Sequence, residues 1–255
     1  MLILTNNIEK GWMNYEEKII AIAVVMVLAV GISIPLISNA TQVTDKNEKW
    51  GQSLKKTYDE KKVADEQKYK TSLVGNYSAN KVEGDEVSQV GKDILITDSE
   101  LNQMSDFYVL QGKSRQEADK TAKEYAQEYN ALYVEAVKNG FDATDEEVKT
   151  YVDSLKEELN KPENKEQLNS VLKGFGSEDE YWDYEYMVYQ KQLPIQKYVK
   201  SLENDYNNAH QDEFTEEQLA QNWNTKLDSI KKKLVKEQQF KDVQKPVDIG
   251  QSFQE

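Results

Sequence analysis

Five times between residues 97 and 218 the chain places a Ser or Thr three residues ahead of a Glu or Gln: Thr97-Asp98-Ser99-Glu100, Ser114-Arg115-Gln116-Glu117, Thr144-Asp145-Glu146-Glu147, Ser177-Glu178-Asp179-Glu180 and Thr215-Glu216-Glu217-Gln218. Each is a capping box: the hydroxyl accepts from a free N–H of the first helical turn, and the acid or amide reaches back to the N–H of the capping residue. Extra carboxylates in these first turns suit the positive end of the helix dipole. Such starts predict at least five helices and a mainly all-α fold.

The apolar spacing after each start supports this. Leu101, Met104, Phe107 and Tyr108 predict a helix over 98–111 that stops at Gly112. Ala118, Ala122, Tyr125, Tyr129, Leu132, Tyr133 and Ala136 predict a strut over 115–138, roughly 36 Å long at about 1.5 Å per residue, closed by Asn139-Gly140. Val148, Tyr151, Val152, Leu155 and Leu159 mark 145–159, ended by Pro162, and Leu168, Val171 and Leu172 mark a shorter helix over 163–173. A long helix is expected from Asp179 to about Asn207, bent at Pro194, whose ring removes one i to i−4 bond. Leu219, Trp223, Leu227, Ile230 and Leu234 form an amphipathic stripe over 216–238. Ahead of the helices, EVSQVGKDILIT (86–97) sets two short apolar runs about Gly91-Lys92-Asp93, the pattern of a small β-hairpin.

Upstream, Ile19 to Ser38 carries no charge and, at about 1.5 Å per residue, is long enough to cross a hydrocarbon layer of roughly 30 Å. Its length and the mixed charges of the leader favour a signal anchor over a cleaved peptide. Ser38-Asn39-Ala40 has the small-x-Ala form of a cleavage site and keeps the alternative open. Residues 41–85 are polar, and only Leu54, Tyr58 and Val63 mark a thin stripe within 53–70, read as an exposed helix. The organisation expected is a cytoplasmic leader (1–18), a transmembrane signal anchor (19–38), a polar stalk (39–85), a helical domain (86–240) and a tail (241–255). A single N-terminal span ahead of a large soluble domain commonly serves as an export signal, which places the domain outside the cell membrane.

The chemistry the residues exclude is as informative. With Asp+Glu 46 against Lys+Arg 32 and a net charge of −14, the chain repels phosphate backbones, and Lys231-Lys232-Lys233 reads as a solvated helix face, so no nucleic-acid partner is expected. The absence of cysteine removes disulfides, thiolate metal sites and thiol nucleophiles. The one histidine, His210, falls in a polar loop between helices, where no oriented triad forms. The acidic runs are helix starts without EF-hand spacing, so no metal is expected. GFGS (174–177) lacks the phosphate-loop spacing and reads as a helix–helix turn. No cofactor and no catalytic residue is expected.

The segment VEAVKNGFDATDEEVKTYVDSLKEEL (134–159), followed by GFGSEDEYWDYEYMVYQKQLPIQKYVKSL (174–202), resembles the N-terminal chaperone domain of SurA and of the PrsA foldases. VSQVGKDILITDSEL is similar to that family's opening strand pair. The likeness covers roughly 86–205. It implies a SurA N-like multi-helix domain whose aromatic and aliphatic cradle holds extended or unfolded segments of exported proteins. The lipid-accepting cysteine and the parvulin isomerase domain of PrsA foldases have no counterpart, so prolyl isomerase activity is not implied. The peptide-binding candidates are Met104, Phe107 and Tyr108, Tyr129 and Tyr133, and Trp182, Tyr186, Met187 and Tyr189. Core packing is the competing role for each. Tyr181 to Tyr189 occupy nearly the whole circumference of their helix, so some are expected to face solvent or a partner. The alternative function is an interaction component of an envelope complex (secretion, conjugation or sporulation) with one dedicated partner.

Overall fold

The computed structural model describes residues 40–62, 81–82 and 85–243. The leader, the 19–38 segment and most of the tail lie outside these residues. Among those described, no helix is long and apolar enough to cross a membrane.

Four of the five capping boxes close in both directions, at Thr97, Ser114, Thr144 and Thr215. At Ser177 the hydroxyl accepts from Glu180 N–H at 3.3 Å, without the return bond. They start α2 (Asp98–Leu110), α3 (Arg115–Lys138), α4 (Asp145–Leu159), α6 (Glu178–His210) and α7 (Glu216–Gln238). Two of the described helices start without the Ser/Thr-x-x-Glu/Gln sequence. α1 (Ala40–Lys62) precedes them all, and α5 (Pro162–Phe175) starts with Pro162 in its first turn. Pro162 therefore opens a helix, a position where its missing N–H costs nothing. α5 ends at Gly176 with φ 91°, in the left-handed region that favours glycine.

The expected hairpin is present. β2 (Asp85–Val90) pairs antiparallel with β3 (Leu95–Thr97), with Val90 opposite Leu95 and a register shift between Val87 and Gln89. β2 also pairs with β1 (Lys81–Val82) and with β4 (Lys241–Asp242), which ties the described end of the tail to the sheet. The fold is thus mainly helical with a small antiparallel sheet.

α6 is the central beam, continuing through the buried Pro194. Its first half puts Tyr181, Trp182, Tyr184, Val188 and Tyr189 into a core shared with α1, α4 and α5. Its second half puts Ile195, Tyr198 and Val199 into a second core with α3, α7 and Ile94 of the hairpin.

The helix within the polar stretch is not an exposed part of a stalk, because Trp50, Leu54 and Tyr58 lie on one face of α1 and are buried, Leu54 completely. Those side chains project one turn apart at i, i+4 and i+8, so a thin stripe suffices when the receiving surface is itself aromatic.

A candidate polypeptide-binding groove

The surface that receives α1 is built from α2, α5 and α6. Trp50 meets Phe107 of α2 edge-on with centroids 5.5 Å apart. Tyr58 packs on Phe175 of α5 at 5.7 Å and on Tyr184 of α6 at 6.5 Å. Behind them Phe175 meets Tyr181 at 5.5 Å, and Tyr181 meets Trp182 at 5.0 Å. Edge-to-face arrangements recur because the electropositive edge of one ring favours the face of the next.

Glycines make this approach possible. A Cβ on Gly51 of α1 would run into the Val171 carbonyl and lie 2.9 Å from the Phe175 nitrogen, and one on Gly174 of α5 would run into the Glu48 carbonyl. The two helices therefore cross backbone to backbone. Polar contacts line the rim: Glu48 pairs with Lys173 at 2.6 Å, Lys55 with Glu180 at 3.4 Å, and the Ser53 hydroxyl donates to Asp106 at 2.9 Å. On the buried side, both polar atoms of the Asn47 amide and the Trp50 indole N–H have no hydrogen-bond partner among the described residues.

The nine candidate residues divide into three settings. Phe107, Tyr186 and Met187 are half-buried and pack against the core around α1, while Trp182 and Tyr189 are buried within it. Trp182 donates through Nε1 to Glu178 at 3.2 Å, and Tyr189 lies against Tyr151 of α4 with centroids 4.6 Å apart. Tyr129 and Tyr133 are buried elsewhere, in the second core, and Met104 and Tyr108 are half-buried on α2. The aromatic run 181–189 shows no fully exposed ring, because α1 and α5 cover one side of α6 and α4 another. Among the described residues the exposed large apolar side chain is Val90.

The sequence patterns passed over two buried ionisable groups on α6. Lys191 donates to Asn130 at 2.5 Å and to Glu100 at 3.0 Å, and its ammonium lies 5.5 Å and 5.6 Å from the centroids of Tyr129 and Tyr133. Those two tyrosines thus face an internal cation. Glu185 is fully buried, with neither carboxyl oxygen hydrogen-bonded among the described residues. Burial pushes its carboxyl well above the usual carboxylate range, and burial likewise raises the neighbouring Tyr181 and Tyr189 phenols.

Comparison of the chain with protein-family models, curated proteins and solved structures finds no match.

Elsewhere, a cleft of about 260 Å³ is lined by Lys92, Asp93, Glu135, Lys138, Glu237 and Gln238 among others. Its charges are largely spent on one another, since Asp93 accepts from Lys138 at 2.7 Å and from Gln238 at 3.1 Å. His210 is half-buried, its Nδ1 3.1 Å from the Glu213 carboxylate and its ring 4.6 Å from Tyr206. Among the described residues no group of three or more His, Asp or Glu side chains is placed to hold a metal ion.

Proposed function

We propose that the chain is a membrane-anchored, extracytoplasmic binding module of SurA-like character, which holds segments of exported polypeptides in its aromatic groove without catalysing a reaction. The observation that carries this reading is the groove itself. Phe107, Phe175 and Tyr184, from three different helices, converge on one amphipathic helix and close over its Trp, Leu and Tyr side chains. Such rings give large contact area at low rotamer cost and tolerate varied partners. The uncharged 19–38 segment, which ends one residue short of α1, supplies the proposed anchor.

The test uses the full chain in lipid nanodiscs, mixed with several unrelated heat-unfolded proteins while light scattering is followed. Suppressed aggregation of more than one of them is expected. No effect on any would remove the reading.

The nearly closed apolar surface favours a second reading, an envelope-complex component with one dedicated partner, because a promiscuous holder usually presents an open patch. Crosslinking in membranes separates the two: one stoichiometric product supports the component, many products the holder.

A further inference from the structure

We infer that α1 is an exchangeable occupant of the groove, and that the groove's partners are amphipathic helices built like α1, with large apolar side chains at i, i+4 and i+8 and a small residue beside the first. This rests on reading the groove as a polypeptide-binding site and names the class of polypeptide it takes.

The occupant shows what the groove selects. Trp50, Leu54 and Tyr58 enter as three anchors one turn apart, the pattern by which helices bind in grooves. Gly51, next to the first anchor, lets the bound helix approach Gly174 of the receiving helix at backbone contact. A larger residue at that position of a partner helix would be rejected, so the glycine acts as a filter.

The same interface is poorly finished in its polar detail. The Asn47 amide is fully buried with both polar atoms unpartnered among the described residues, as is the Trp50 indole N–H. Each such group forfeits its hydration on docking and regains nothing, a penalty of the size that would make a bound helix replaceable. A partner helix with an apolar residue at the Asn47 position avoids that penalty and competes well. The rim pairs Glu48–Lys173 and Lys55–Glu180 are partly exposed and add little.

The experiment uses the full chain in nanodiscs and a fluorescein-labelled peptide of residues 40–62 as probe. Leu54→Asp in the chain weakens the internal helix without touching the groove walls, and is expected to lower the Kd for the wild-type peptide by about tenfold or more. A peptide carrying Leu54→Asp is expected not to bind. Because the chain has no cysteine, the paired substitution Glu48→Cys with Lys173→Cys can form one disulfide between α1 and α5, and its formation is verified by mass spectrometry before uptake is measured. Oxidation is expected to abolish peptide uptake and reduction to restore it.

Equal uptake by oxidised and reduced chains, or no uptake by a Leu54→Asp chain that keeps its near-ultraviolet circular dichroism, would overturn the inference. The crosslinked pair keeps the test decisive even where Leu54→Asp unfolds the protein. Exchange of the peptide without suppression of client aggregation leaves the inference standing and removes the chaperone reading. Suppression indifferent to the crosslink does the reverse.

Discussion

Gly51 and Gly174 face each other's helices across the α1–α5 crossing, and each occupies space where a Cβ would strike the opposite backbone. Backbone cannot rotate aside as a side chain can, so substitution must push the helices apart. Gly51→Ala and Gly174→Ala are each expected to cost about 1–3 kcal/mol by overpacking, outweighing the roughly 1 kcal/mol that alanine gains in a helix interior. Hydrogen exchange should show the loss first in α1. Unchanged protection of α1 amides in both variants would contradict the crossing.

Lys191 is a buried cation on which the packing of α6 against α2 and α3 depends. Its ammonium is held by Glu100, Asn130 and two tyrosine faces, so removing it leaves a little-exposed carboxylate without its cation, with the capping bond from the Thr97 N–H still in place. Lys191→Met is expected to cost about 3–5 kcal/mol, the usual penalty for breaking one side of a buried pair. Adding Glu100→Gln should return part of that loss. A double-mutant cycle in urea measures it, and strict additivity of the two changes would show that the pair is not coupled.

Glu185 makes stability depend on pH in a definite direction. Its folded-state pKa is raised by burial, so between the unfolded pKa of about 4.3 and the folded value the native state holds more protons than the unfolded state. Stability contributed at this position is therefore full below about pH 4 and is lost as pH rises, by at most about 1.4 kcal/mol per pH unit. Glu185→Gln removes the titration. The variant is expected to melt higher than wild type at pH 7, with a gap that narrows as pH falls towards 4. A gap independent of pH would assign the effect to packing.

The helix starts were legible because capping is local: each box needs only four consecutive residues, and all five marked real starts. The hairpin about Gly91 was legible for the same reason. α1 escaped because its burial depends on a partner surface far along the chain. Trp50, Leu54 and Tyr58 stand among Lys, Asp and Glu, and no local pattern pairs Gly51 with Gly174. The aromatic cluster around α1 was legible only in part. Phe107, Trp182, Tyr186, Met187 and Tyr189 belong to the core around the groove, but Phe175 and Tyr184 were not nominated, although their rings touch Tyr58. Tyr129 and Tyr133 have the same residue type and spacing and serve a buried lysine. Only the position of Lys191, one charge on an otherwise covered face, distinguishes them.

The docking of α1 also makes it part of the folded unit. A fragment starting at residue 86, at the hairpin, would leave Phe107, Phe175 and Tyr184 without Trp50, Leu54 and Tyr58 over them. Burying side chains of that size is worth about 1.5–3 kcal/mol each, a large share of the 5–15 kcal/mol that holds a domain together. The fragment 86–255 is therefore expected to bind a hydrophobic dye and to aggregate, whereas 40–255 remains monomeric and melts cooperatively. Synthetic peptide 40–62 should reduce dye binding by 86–255, and its Gly51→Leu version should not. Dye binding and melting of 86–255 indistinguishable from 40–255 would show that α1 is dispensable to the domain.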